Sequence, residues 1–275
     1  MTQTLALNSL YNFKPNVAVY GSVLLKGISG DEEEARREIE LLRSLEHPNV
    51  IKLCYAKAVG CGWVLATDWC VTGDLYSALY ESSLPHGIIL QYVVEVARGI
   101  KYLHQRNIMH GDVKPENVVI GNDGVAKLID FGLARQFESK DEKVVTQGGT
   151  LLYAAPEVLL RKPHGVETDW WSLACVLHET IYGCFPWGIS DLDVGDDEEE
   201  ICRRICYEPL DKAGAMDNVQ VGKELQNIVP ELFEVLQQFF EKDPKARRIE
   251  VATMHLDSLE LDLQQRLGHI SKTEP

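Results

Sequence analysis

The chain changes its periodicity near residue 70, and this limits the folds open to it more than any other feature. Before that point short β-like runs dominate, at residues 17–20, 23–26, 50–55 and 63–67. One helical stretch interrupts them, residues 32–45, where Ile39, Leu42 and Leu45 form an apolar stripe beneath a charged surface. His47-Pro48-Asn49 ends that helix, because the residue before a proline is driven away from helical geometry. Tyr20-Gly21-Ser22 reads as a tight turn between two strands. From Leu75 onward the helical period takes over, at residues 91–105, 169–182 and 231–242. Between the first two of these lie short strands at 117–120 and 125–129, joined by the hairpin signal Asn122-Asp123-Gly124. A strand-rich first lobe (residues 1–70) and a helical second lobe (71–275) predict an α+β, bilobal fold. The crossover falls near Thr67-Asp68-Trp69-Cys70.

A chain of 275 residues, 45% hydrophobic, can bury ample core in both lobes. No apolar run approaches the roughly 18 residues that a membrane span needs. The first residues, Met1-Thr2-Gln3-Thr4, lack the basic start of a secretory signal. Seven cysteines include no Cys-x-x-Cys pair, and the odd number argues against a full disulfide set. Cys202 and Cys206 have helical i, i+4 spacing, but no further cysteine or histidine lies near enough in sequence to complete a metal site. These thiols predict a reducing compartment, cytoplasmic with a nuclear location open. A net charge of −15 opposes nonspecific binding to nucleic acid or anionic membrane and suits basic partners. Much of the excess lies in residues 31–34 and 191–200, acid blocks of the kind found on solvated faces.

The chemistry is concentrated in His110-Gly111-Asp112-Val113-Lys114-Pro115-Glu116-Asn117, followed by Asp130-Phe131-Gly132 and Ala155-Pro156-Glu157. A carboxylate, a lysine, an amide and a second carboxylate follow in fixed order, with Asp112 and Asp130 18 positions apart. These are the groups that phosphoryl transfer requires. The reaction asks for in-line positioning and neutralised charge rather than covalent help from the protein.

This order and spacing resemble the eukaryotic protein kinase family, serine/threonine branch, from about Val17 to Arg247. The resemblance implies an enzyme that moves the ATP γ-phosphoryl group to a protein hydroxyl with Mg2+, both lobes forming one catalytic domain. By that likeness Asp112 orients the substrate hydroxyl and accepts its proton, and Lys114 neutralises the transferred group. Asn117 and Asp130 offer hard oxygen ligands to Mg2+. Lys26, at the end of Val23-Leu24-Leu25-Lys26, grips the nucleotide phosphates, and Glu38 pairs with it. Thr67 controls access behind the adenine, which bonds backbone groups of Asp68 and Cys70. Thr150 contacts the catalytic aspartate, Glu157 and Arg247 form a buried ion pair, and Asp169 braces the catalytic loop. His110 is implied to be a packing residue. Asp74, Glu116 and Glu179 resemble acids that face a bound peptide, which predicts a basic substrate context.

Two departures from the family pattern stand out. Residues 7–17 hold no glycine, and Leu10, Asn12 and Pro15 occupy the places of the three glycines in a phosphate-covering loop. Pro15 has no amide hydrogen to give a phosphate. Gly111 stands where many kinases carry an arginine that receives an activation-loop phosphate, so phosphorylation of Ser139 or Thr146 finds no evident basic pocket. The missing glycines raise an alternative function: a pseudokinase scaffold or allosteric partner with weak nucleotide binding. The sequence leaves the oligomeric state open.

Overall fold

The computed structural model describes residues 17–20, 23–28, 32–60, 62–68, 70, 72–82, 84–146, 148–189, 198–210 and 229–267. Its first part is a four-stranded antiparallel sheet. The strands are β1 (Val17–Tyr20), β2 (Val23–Ile28), β3 (Leu53–Val59) and β4 (Gly62–Asp68), in the order β1-β2-β4-β3. Lys26 pairs with Leu65 across β2 and β4, and β2 runs on to Ile28. Lys26 is therefore held in mid-strand rather than at a strand end. The turn signal Ser29-Gly30 follows β2 directly and fits an end at Ile28 rather than at Lys26.

Helix α1 (Glu32–Ser44) lies against this sheet. Glu32, Glu33 and Glu34 occupy its first turn and Arg43 its last, which suits the helix dipole at both ends. Ala35, Ile39 and Leu42 repeat at i, i+4 and i+7 and are buried, and Glu38 is drawn inward on the same side. The next segment was expected to be a strand from Val50. Instead Val50 makes a parallel bridge to Leu128, Ile51 N–H donates to the Leu128 carbonyl at 2.9 Å, and the strand starts at Leu53. Residues 49–51 thus tie the sheet region to the second part of the molecule.

That second part is helical. Asp74 caps α2 (Leu75–Tyr80), its carboxylate accepting from Ser77 N–H at 2.8 Å. Next come α3 (His86–His104), α4 (Pro156–Leu159), α5 (Thr168–Tyr182), α6 (Glu198–Tyr207), α7 (Val229–Phe239) and α8 (Ile249–Leu267). Every residue of α5 is buried, so this helix is the axis on which α3 and α7 pack. It ends at Gly183, whose φ of 68° returns the chain in the left-handed conformation open to glycine. Beside it the rings of Trp171 and Trp187 stack at 5.5 Å, with the Lys242 ammonium 4.0 Å above Trp187 and the Arg247 guanidinium 5.2 Å above Trp171. The buried apolar residues form one continuous cluster, from Ile39 and Leu65 near the sheet to Phe239 and Leu256 in the helices.

Two small ribbons carry the residues between α3 and α5. Strands β5 (Ile108–Met109) and β8 (Arg135–Gln136) pair antiparallel, as do β6 (Val118–Ile120) and β7 (Ala126–Leu128). The second pair is joined by residues 121–125, a longer loop than a two-residue hairpin. In it Gly124 N–H donates to Gly121 carbonyl at 2.8 Å, and Gly124 has φ 72°.

Candidate active site

The chain between β5 and β6 is anchored from below by Asp169, near the start of α5. Its carboxylate accepts from the backbone N–H groups of His110 and Gly111, each at 2.9 Å, and lies 2.8 Å from His104 Nε2. Burial alone would raise the Asp169 pKa, but His104, His110 and the Gly111 N–H hold it below the usual carboxylate value. His110 is fully buried, with Nε2 3.0 Å from the Ile129 carbonyl and its ring edge-on to Phe131. It packs, and its Nδ1 accepts from the Asp112 backbone N–H at 3.3 Å. Gly111 has φ +81°, and a Cβ there would lie 3.0 Å from the Leu133 carbonyl oxygen. The close approach of the two segments therefore depends on a glycine.

With that loop fixed, Asp112 becomes the hub. Thr150 Oγ1 lies 3.1 Å from Asp112 Oδ1, Lys114 Nζ lies 3.1 Å from Oδ2, and Lys114 Nζ donates to Thr150 Oγ1 at 2.7 Å. Asn117 Nδ2 donates to both Asp112 Oδ2 and the Asp112 carbonyl, each at 2.8 Å. Four predicted residues thus form one network around one carboxylate. It is held in a fixed orientation, as a group that must accept a proton from a positioned hydroxyl requires.

Asn117 Oδ1 is buried and has no hydrogen-bond partner. A buried amide oxygen with an open lone pair is the donor that a hard cation takes, and it points to the fit of Asn117 with Mg2+. Ile129 N–H donates to the Asn117 carbonyl at 2.9 Å, which keeps Asp130 beside that amide. Asp130 has φ 63°, a strained left-handed conformation for a non-glycine residue that turns its side chain toward β2. Lys26 Nζ donates to Asp130 Oδ1 at 2.8 Å and to Glu38 Oε1 at 3.2 Å. Burial lowers the Lys26 pKa, but Glu38 and Asp130 more than offset it, so the ammonium stays charged above its usual range.

The remaining candidates divide. Thr67 is half-buried at the end of β4, Asp68 is exposed and accepts from Cys54 Sγ at 3.3 Å, and Cys70 is half-buried with its thiol pushed up to about 11 by burial. Glu116 is exposed in the catalytic loop. The other two acids assigned to a peptide are already engaged. Asp74 caps α2, and Glu179 is 2% exposed with its carboxylate hydrogen-bonded by the hydroxyls of Tyr80 and Tyr153. The tyrosines come from α2 and from residues 151–153, segments whose convergence on α5 no local spacing announces. Leu10, Asn12, Pro15, Gly21, Ser22, Trp69 and residues 191–197 lie outside the described residues.

Sequence reasoning also missed an arginine near Thr146. Arg135, Thr146, Gly111 and His164 line a common cavity, so an arginine shares a cavity with Thr146 although Gly111 supplies none. Away from the site, Arg247 and Glu157 form the buried pair expected of them, with two parallel contacts of 2.7 and 2.8 Å.

A sheet-based lysine bridged to a helix glutamate and an aspartate, facing an Asp-Lys-Asn-Thr network, defines the class. The profile of the protein kinase domain matches residues 19–256, and the chain belongs to that family. Among curated relatives, the mouse serine/threonine-protein kinase Nek5 is 29% identical over 77% of this chain and 33% of its own length. The serine/threonine-protein kinase kin-29 of Caenorhabditis briggsae is 34% identical over 57% of this chain and 19% of its own. Human ribosomal protein S6 kinase alpha-1 is 34% identical over 58% of this chain and 22% of its own. The chain thus spans at most about a third of the length of these relatives.

Proposed function

We propose that this chain is a serine/threonine protein kinase, transferring a phosphoryl group from ATP to a hydroxyl on a protein. One observation carries the reading: Asp112 is oriented by Thr150, Lys114 and Asn117, within a fold that also links Lys26 to Glu38 and Asp130. Asp112 holds the acceptor hydroxyl and takes its proton. Lys114 neutralises negative charge on the transferred phosphoryl group. Lys26, kept cationic by two carboxylates, offers its ammonium to phosphate oxygens. Asn117 Oδ1 and the Asp130 carboxylate are the donors for Mg2+, which when bound neutralises charge building on the phosphates. Thr67 lines the adenine region, with the backbone of Asp68 and Cys70 as hydrogen-bonding partners. We place the lobe boundary at residues 70/71.

Three finer points belong to the same reading. ATP binding is weak for a kinase, because residues 7–17 contain no glycine whose amide could close on phosphate. A basic substrate context rests on exposed Glu116 and on the charge of −15, a charge that also disfavours nucleic acid. A reducing, cytoplasmic or nuclear setting is supported by the six free thiols among the described residues.

The test is transfer of labelled γ-phosphate to generic basic and acidic proteins, with Asp112→Asn as control and circular dichroism to verify folding. Transfer by the wild type and loss in the variant support the reading. A folded wild type that labels no protein would overturn it in favour of a scaffold.

A further inference from the structure

The segment after β8 bears the hydroxyls that a regulatory phosphate would modify, yet residues 143–146 are already bound to the molecule, through His164 and Glu167. Val144 and His164 form an antiparallel bridge, each backbone N–H donating to the other's carbonyl at 2.9 Å. Thr146 Oγ1 lies 3.0 Å from His164 Nε2. His164 is 1% exposed, and its Nδ1 sits 2.8 Å from the Lys162 carbonyl. A carbonyl only accepts, so Nδ1 carries a proton, and Nε2 is the ring nitrogen that shares a hydrogen bond with the Thr146 hydroxyl. On the near side, Lys143 Nζ contacts both Glu167 oxygens at 2.8 and 2.7 Å, and Gly165 N–H donates to Glu167 Oε1 at 3.2 Å. The Glu167 carbonyl in turn lies 3.4 Å from Arg247 Nη1, so the anchorage continues into the buried pair with Glu157.

We propose that His164 is a clamp that orders residues 143–146 in the unmodified protein, replacing the phosphate–arginine contact that Gly111 cannot make. Two backbone bonds fix the strand direction, the imidazole fixes the Thr146 side chain, and Lys143–Glu167 closes the near end. Thr150 stays against Asp112 because the segment leading to it is already held. Arg135 lines the same cavity and could meet a phosphate on Thr146, but ordering does not wait for it. The clamp stands on its own geometry; its consequence, activity without loop phosphorylation, rests on the kinase reading.

The experiment is hydrogen–deuterium exchange on the full chain, shown to be phosphate-free by intact mass. The amides of Val144 and His164 should exchange at least about 10²-fold more slowly than in an unstructured peptide. Thr146→Val should speed exchange at Val144 about fivefold, the loss of one hydrogen bond, and His164→Ala should speed it more. Amides of α3 and α5 serve as the folding control, and if His164→Ala unfolds the chain, Thr146→Val alone decides. Exchange at the unstructured rate until Thr146 is phosphorylated, or rates unmoved by Thr146→Val, would overturn the clamp. A protected segment in a chain that transfers no phosphate would leave the clamp standing and remove the kinase reading instead.

Discussion

The Lys26–Glu38–Asp130 chain and the Glu157–Arg247 pair use the same chemical groups under opposite conditions. In the first, the lysine and Asp130 side chains are 32% and 27% exposed, and one ammonium is shared between carboxylates from a helix and a loop. In the second, arginine and glutamate are 0% and 2% exposed and meet face to face through two contacts. Exposed charges remain open to exchange partners, since water and incoming ions can replace either one. A desolvated bidentate pair has no such freedom, because separating it leaves a bare charge in an apolar core. One arrangement can serve a reaction; the other can only hold α4 to the segment before α8.

The largest effects should come from the open site and should leave stability nearly intact. Asp112→Asn and Asp130→Ala are each expected to cut phosphate transfer at least about 10²-fold, with little change in melting temperature. Only the Asp130 variant should also lose Mg2+-dependent nucleotide binding by calorimetry. A collapse of the melting temperature in either would erase the distinction drawn above.

The buried pair should show the reverse pattern. Arg247→Met is expected to cost about 3–5 kcal/mol of unfolding free energy, read by urea denaturation. The double variant Glu157→Leu/Arg247→Met should recover much of that loss, since it strands no charge. Specific activity per folded molecule should be nearly unchanged.

Asp169 falls between the two, a buried acid that supports the site. Its folded pKa lies below the ordinary value, so its stabilisation is present above pH of about 4 and is lost as pH falls through the folded value. Asp169→Asn should flatten the acid limb of a stability-versus-pH curve, and an unchanged limb would assign acid sensitivity to other carboxylates. The smallest effect belongs to Lys101–Asp257, whose side chains are about half exposed. Lys101→Ala should shift stability by no more than about 1 kcal/mol.

Much of this was readable from the order of residues. The stripe Ile39, Leu42 and Leu45, the Pro48 stop and Gly124 announced α1 and the β6–β7 ribbon because those signals are local. Asp112, Lys114 and Asn117 were legible because their geometry is set within eight residues of one another. What stayed hidden depends on distant contacts. Glu179 reads as an acid facing a bound peptide until Tyr80, 99 positions away, is brought onto it. The engagement of Thr146 by His164 spans 18 positions in which the helical turns, α4 among them, are too short for any periodicity to register. Lys26 was placed at a strand end because the pairing of β2 with β4 as far as Ile28 is a long-range contact that sequence spacing does not encode.

The parallel stack of Trp171 on Trp187 gives the helical part an optical signature of its own. Two indoles 5.5 Å apart and tilted by only 10° share their excitation, and the cations of Lys242 and Arg247 sit on their faces. The sheet part contains a single described indole, Trp63 on β4, with no such partner among the described residues. Three of the four described indoles, Trp170, Trp171 and Trp187, lie in the helical part, so tryptophan emission is weighted toward the surroundings of α5, and a Trp63→Phe variant would leave it reporting on that part more selectively.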